Sequence, residues 1–241
     1  MKLKLLYSDF KRDIEIIEKE LEKALNSSSH LLNEASLHLL RAGGKRIRPL
    51  FVLMCAKFGN YNIDKMKYVA VPLELIHMGS LVHDDVIDHS DLSSGRPPVR
   101  SQWNNRVAMH TGNFIFGKAI QYVSHIEDAK AHQILARTMV EICNGEVIQI
   151  EDKYRLNQNL KDYFRRIKRK TALLIESCCE VGAVVGEVDV TNTRRLKRFG
   201  YYVGMSYQIV DDVLDFVSTD KQLGKPAGSD LLQGNITLPI L

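Results

Sequence analysis

The sequence predicts an all-α protein. Three observations carry this. Apolar residues recur at helical spacing through the long stretches, no stretch carries a convincing strand or hairpin signal, and the breaks are clusters of Gly, Ser or Pro. At 241 residues the chain can bury a sizeable core, and no low-complexity linker divides it, so one domain over residues 1–241 is expected.

The elements follow in order. Tyr7 to Leu25 is charged and amphipathic, with Ile14, Ile17, Leu21 and Leu25 on one face, and Ser27-Ser28-Ser29 ends it. Leu31 to Leu40 reads as a second helix, stopped at Gly43-Gly44. Leu50 to Phe58 is apolar without strand alternation. A long helix is expected from Asp64 to Asp88, with Leu73, Ile76, Leu81 and Val82 inward. Ser93-Ser94-Gly95-Arg96-Pro97-Pro98 must be loop, because consecutive prolines cannot continue a helix. Helical patterns resume over Trp103–Val123, Ala129–Asp152, Leu160–Val185 and Val190–Val217. Gly224-Lys225-Pro226-Ala227-Gly228 is a further loop. The apolar end, Thr237 to Leu241, looks like a helix beginning, and a truncated chain is expected there.

Composition narrows the class. The net charge of +4 permits an anionic small substrate without arguing for nucleic acid. The four cysteines show no CxxC spacing, so small core residues in a reducing, cytoplasmic setting are expected. The N-terminus has no apolar leader, and no window is apolar enough to span a membrane.

The chemistry concentrates in a repeated spacing. Asp84-Asp85-x-x-Asp88 ends one long helix and Asp211-Asp212-x-x-Asp215 ends another. At about 100° per residue, each set falls within an arc of roughly 100°. Three like charges on one face repel, and the helix dipole is unfavourable to them at a C-terminus. A single set is read equally well as a solvated helix end, but two sets favour a bound cation. Carboxylate oxygens suit Mg²⁺, which takes further ligands from water and substrate phosphates. His77 and Gln208 project near the two carboxylate faces; His77 is read equally as a phosphate donor or a satisfied core histidine. Gly43-Gly44-Lys45-Arg46-Ile47-Arg48 sets cations beside a turn, as a phosphate site or a basic helix start. Most of Arg165 to Lys170 reads as a solvated basic face, with Lys170 and Thr171 able to turn inward. Lys225 lies close behind the second acidic set, where the alternative is an exposed loop lysine.

Taken together, both DDxxD sets, Gly43-Gly44-Lys45-Arg46-x-Arg48-Pro49, Lys170-Thr171, Gln208 and Gly224-Lys225-Pro226 resemble the trans-type polyprenyl diphosphate synthases over Leu31 to Leu241. Within them the likeness is greatest to the large catalytic subunit of bacterial hexaprenyl and heptaprenyl diphosphate synthases. The resemblance implies an isoprenoid-synthase helical bundle around a central cavity and Mg²⁺-dependent head-to-tail condensation. It implies Mg²⁺ on Asp84, Asp85, Asp88, Asp211, Asp212 and Asp215, with several ions bridging to an allylic diphosphate such as farnesyl diphosphate. Lys170, Thr171, Gln208 and Lys225 would assist there, and Lys45, Arg48 and His77 would hold isopentenyl diphosphate. It further implies a homodimer, or a heterodimer with a small regulatory subunit, a product for menaquinone-type side chains, and transient membrane proximity through that lipid product.

In this family, bulk four or five positions before the first Asp blocks the growing tail. Gly79 and Ser80 stand there and are small, so a long product is expected, from geranylgeranyl upward, with hexaprenyl to heptaprenyl favoured. Two departures are notable. Ser93-Ser94 stand where the family carries two arginines, with Arg96 or Arg100 as candidates to compensate, and full-length members of the family continue well beyond the Thr-Leu-Pro motif at which this sequence ends; Asn235 also stands where many members carry lysine. Two rivals follow. The adjacent pair His83-Asp84 fits a helical metal-dependent phosphohydrolase. A degraded synthase serving as a non-catalytic partner subunit fits the departures.

Overall fold

The computed structural model describes residues 3–88, 97–219 and 227–241, with side chains from residue 7 onward. Every regular element among the described residues is helical. In chain order these are α1 (Leu3–Ala24), α2 (His30–Arg41), α3 (Ile47–Ala56), α4 (Ile63–Ile87), α5 (Val99–Gln102), α6 (Asn105–Val123), α7 (Ala129–Asp152) and α8 (Leu160–Ile167). A π-helical turn (Lys168–Ala172), α9 (Leu173–Val185), α10 (Val190–Val217) and α11 (Ser229–Leu232) complete them.

Side-chain caps fix the helix starts. Asn62 accepts from the Asp64 amide, Asn104 from Val107, Asp128 from Ala131 and Asp189 from Thr191 and Asn192. Asn159 and Asp162 form a reciprocal capping box at α8.

Two helices are apolar almost all round and therefore sit inside. α9 buries Leu173, Leu174, Ile175, Cys178, Cys179, Val181 and Ala183, and packs on α3, α4, α7 and α10. Its charged exceptions are paired: Lys197 reaches Glu180 at 2.8 Å and Glu176 at 3.4 Å. α4 buries a run from Met66 through Val82 and continues through Pro72 without ending. Small residues set the spacing around α9. A Cβ on Gly182 would lie 2.5 Å from the Val52 carbonyl oxygen, and one on Gly204 would lie 2.5 Å from the Ala172 Cα.

Three expectations change. The stretch Leu160–Val185 is not one α-helix, because the π turn interrupts it. Cys143 is exposed, while Cys55, Cys178 and Cys179 are core residues. Arg166, read as part of a solvated face, is buried: it pairs with Asp152 at 3.5 Å and donates to Gln158 and the Ile236 carbonyl. At Thr237 a turn does begin, since the Ile240 amide donates to the Thr237 carbonyl at 3.0 Å. No described helix is long and apolar enough to cross a membrane.

Candidate active site

α4 and α10 both pack on α9, and the acidic set of each lies in its last turns. On α4, Asp85 is buried while Asp84 and Asp88 are half-buried. One oxygen of Asp84, Oδ1, is closed off from solvent and has no hydrogen-bond partner. The Asp84 carboxylate also shares a hydrogen bond with Glu146 of α7. Burial, then Asp84, push the Glu146 carboxyl up to about 9, with Asp88 adding to the effect. Asp88 accepts from Lys153 Nζ at 2.7 Å.

The π turn carries the cation between the sides. Lys170 Nζ donates to Gln149 Oε1 at 2.8 Å. Burial works against its charge, but Asp84, Glu146, Asp88 and Asp230 outweigh burial and hold the ammonium above its ordinary range. The next residue turns the other way: Thr171 Oγ1 donates to Gln208 Oε1 of α10 at 2.5 Å. The wide π turn thus presents neighbouring residues to α7 and to α10.

On α10, Asp211 is exposed, whereas Asp212 and Asp215 are each 3% exposed. Asp212 accepts at Oδ1 from Gln208 Nε2 (2.8 Å) and at Oδ2 from the Tyr163 hydroxyl (2.7 Å). Burial and Asp212 raise the Tyr163 hydroxyl well above its ordinary value, so it stays a donor. Asp215 accepts from Ser229 Oγ at 3.0 Å and the Asp230 amide at 3.2 Å, which docks α11 on the end of α10.

A cleft of about 340 Å³ opens beside α4, lined by Lys45, Arg48, Glu74, His77, Asp85 and Tyr207, among others. The chain enters α3 through Gly43 at φ 93° and Arg46 at φ 45°. That left-handed geometry turns Arg46 inward, to Glu74 and Glu18 (both 3.4 Å) and the Leu40 carbonyl (3.1 Å). Arg46 is therefore held by protein partners, although it lines the cleft together with Lys45 and Arg48. Arg48 Nε has no partner although it is closed off from solvent, and burial pulls the guanidinium down. Burial, then Arg48 and Arg46, hold His77 well below its ordinary range. A cleft with a buried guanidinium whose Nε lacks a partner, and a histidine kept neutral beside two arginines, suits an anion.

His77 gives a pH prediction. Its folded value lies below the free value of about 6.5. Above that pH both folded and unfolded chains hold it neutral; below it only the unfolded chain takes the proton, so stability falls as pH drops. The slope is at most about 1.4 kcal/mol per pH unit. His77→Gln should flatten that acid loss by about 1–2 kcal/mol between pH 7.5 and 5 in urea unfolding; parallel curves for both proteins would oppose the assignment.

Gly79 lies in the seam between α4 and α6, where a Cβ would meet the Phe116 ring at 3.1 Å. Ser80 is half-buried and donates to the His77 carbonyl at 2.9 Å. His83 also occupies that seam, 5.5 Å from the Phe116 ring and against Gly112. Lys225, Ser93, Ser94 and Arg96 lie outside the described residues. Spacing alone passed over Glu146, Gln149, Lys153, Tyr163 and Arg166. Glu146 and Gln149 did leave a trace, three residues apart on a helix otherwise rich in apolar residues.

Among the described residues no three His, Cys, Asp or Glu side chains converge enough to hold a metal ion by themselves. The unpartnered Asp84 oxygen and the acid pressed against it still fit a hard cation whose shell is completed by water and ligand oxygens.

The sequence pattern of the polyprenyl synthetase family matches residues 29–241. Heptaprenyl diphosphate synthase component 2 of Geobacillus stearothermophilus is 56% identical over 241 residues, covering 100% of this chain and 75% of that protein. The Bacillus subtilis protein of the same name is also 56% identical, over 100% of this chain and 69% of that protein. Among solved structures, heptaprenyl diphosphate synthase from Staphylococcus aureus superposes with a TM-score of 0.93 at 47% identity, covering 96% of this chain and 74% of that one. A polyprenyl synthase from Caulobacter crescentus, complexed with calcium and isoprenyl diphosphate, gives 0.95 at 32% identity over 99% and 73%. The expected all-α fold and family likeness are borne out.

Proposed function

The chain belongs to the polyprenyl synthetase family of trans-prenyltransferases, and from that premise we propose how it makes a long polyprenyl diphosphate. Isopentenyl diphosphate is added head to tail onto an allylic diphosphate, farnesyl diphosphate being the starter, until the product reaches heptaprenyl length. The observation that carries this is the π turn at Lys168–Ala172, whose Lys170 faces the acids of α4 and α7 while Thr171 bonds α10. That arrangement supplies a place for one diphosphate between two acidic helix ends, beside a separate basic cleft for a second.

Asp84, Asp85 and Asp88 on one side, and Asp211, Asp212 and Asp215 on the other, would hold Mg²⁺. Both oxygens of Asp212 and of Asp215 already accept from protein donors, whereas Asp84 Oδ1 has no hydrogen-bond partner and would gain most from the ion. When bound, Mg²⁺ supplies Lewis-acid stabilisation of the charge that grows on the departing diphosphate. Lys170 adds a fixed ammonium to the same end, and Thr171 and Gln208 complete that side; the family resemblance would add Lys225, which lies outside the described residues. Lys45, Arg48 and His77 hold isopentenyl diphosphate in the cleft. The apolar residues of α4 below Asp84 exclude water from the allylic cation. The double bond of isopentenyl diphosphate supplies the electron pair for the new C–C bond as the allylic C–O bond breaks, and a proton of the isopentenyl unit then passes to the released diphosphate.

Ser80 lies about one helical turn, 5.4 Å, below Asp84. Ser80→Phe should shorten the product by several isoprene units on thin-layer chromatography; an unchanged distribution would refute that role. Gly79→Phe is a poorer probe, because Phe116 already fills the space beside it.

The relatives named component 2 support a second polypeptide as partner. The reading is tested by incubating the chain, alone and with a small partner subunit, with radiolabelled isopentenyl diphosphate and farnesyl diphosphate. Heptaprenyl diphosphate is the expected product. Free phosphate alone would favour the phosphohydrolase, and no turnover under either pairing would favour the non-catalytic subunit. His83 turns its ring to α6 rather than joining Asp84 at a metal, which speaks against the phosphohydrolase.

A further inference from the structure

Asp212 is 3% exposed, and a carboxylate so placed needs its hydrogen bonds met by the protein. They come from opposite sides. Gln208, one helical turn earlier on α10, donates to Oδ1 at 2.8 Å and is itself held by Thr171 of the π turn at 2.5 Å. Tyr163, on α8 and fully buried, donates to Oδ2 at 2.7 Å. The Tyr163 ring is in turn fixed by Arg166, whose guanidinium lies 5.9 Å from the ring centroid and is anchored to Asp152, Gln158 and the Ile236 carbonyl.

This is an expensive arrangement for a surface acid and an economical one for an acid whose direction matters. A phenol hydroxyl to a carboxylate is a charge-assisted bond, stronger than a neutral one, and its donor has no rotational freedom beyond the hydroxyl itself. We infer that Tyr163 is a positioning residue that aims the Asp212 carboxylate, and with it the last turns of α10, toward the diphosphate. The inference rests on the reading of the second acidic set as half of the diphosphate site. Tyr163 touches neither substrate nor metal in this account; it acts through Asp212. Because Gln208 links Asp212 to Thr171, the same network ties the second acidic set to the turn that carries Lys170. Residues 163 and 171 thus clamp α10 from two points of one helical stretch.

The test is Tyr163→Phe, which removes one oxygen and leaves the ring. Binding of Mn²⁺, in the presence of an unreactive thiolo analogue of farnesyl diphosphate, is read by electron paramagnetic resonance. Steady-state constants and thermal unfolding accompany it. The expected result is a roughly tenfold weaker Mn²⁺ affinity, the scale of one charge-assisted bond. KM for the allylic diphosphate should rise, KM for isopentenyl diphosphate should hold, and the metal-free melting temperature should move by only a few degrees. In an Asp212→Asn background, Tyr163→Phe should add little, because the carboxylate it aims is gone. Gln208→Met, which removes the opposite bond, gives a second route to the same weakening if Tyr163→Phe folds poorly. Unchanged Mn²⁺ affinity in Tyr163→Phe, with a clear loss in Asp212→Asn, would overturn the inference and leave the diphosphate site standing. Unchanged affinity in Asp212→Asn as well would overturn both.

Discussion

Asp84→Asn is expected to lower the condensation rate by at least about 10³-fold, equivalent to roughly 4 kcal/mol of transition-state stabilisation. The magnitude follows from the environment of this carboxylate. Asp84 Oδ1 is closed off from solvent without a partner, and the Glu146 carboxyl is pressed against the same group. An unpartnered buried oxygen is costly, and a cation with part of its shell open relieves that cost. Asparagine keeps the shape but replaces a ligand oxygen of full charge with an amide, so the loss should appear in kcat and in the Mg²⁺ concentration needed for half-maximal rate. Rate measurements over a Mg²⁺ series check this. A variant with wild-type Mg²⁺ dependence would place the metal elsewhere.

The second large effect is expected at Lys170. Lys170→Met should cost about 10²- to 10³-fold in kcat/KM for the allylic diphosphate, the scale of removing one preorganised donor at a developing charge. The same change leaves Asp84, Glu146 and Asp88 without their shared ammonium. The metal-free fold should therefore weaken by about 1–2 kcal/mol, the scale of losing the charge-assisted hydrogen bond to Gln149. Adding Mg²⁺ with inorganic diphosphate should restore most of that melting temperature. Lys170→Arg keeps the charge but not the compact ammonium, and should fall between the two. Full activity in Lys170→Met would remove the π turn from the account.

Much of the architecture was legible because it is periodic. Ala129–Asp152 and Val190–Val217 appear over the residues their apolar spacing predicted, each started by an Asp cap. The π turn was not legible. The apolar residues after Lys170 continue the pattern of the residues before it, and the extra residue per turn appears only when Lys170 and Thr171 must face different helices. Spacing also gave Asp212 and Asp215 the same standing as Asp84, because it cannot show that Tyr163 and Ser229 reach them from elsewhere in the chain. Arg166 was misjudged because a basic run is usually solvated, and burial of one member depends on an acid distant in sequence, Asp152. Lys45, Arg48 and His77 could be grouped only as candidates until the cleft joined them.

The central claim is that one diphosphate is held by metal between the acidic ends of α4 and α10. Calorimetric titration of the chain with the thiolo analogue of farnesyl diphosphate tests it most directly, with and without Mg²⁺, in wild type, Asp84→Asn and Asp211→Asn. Tight binding is expected only with Mg²⁺, weakened at least tenfold by either substitution. Equal affinity with and without Mg²⁺, or a loss in Asp84→Asn with none in Asp211→Asn, would contradict a two-sided site.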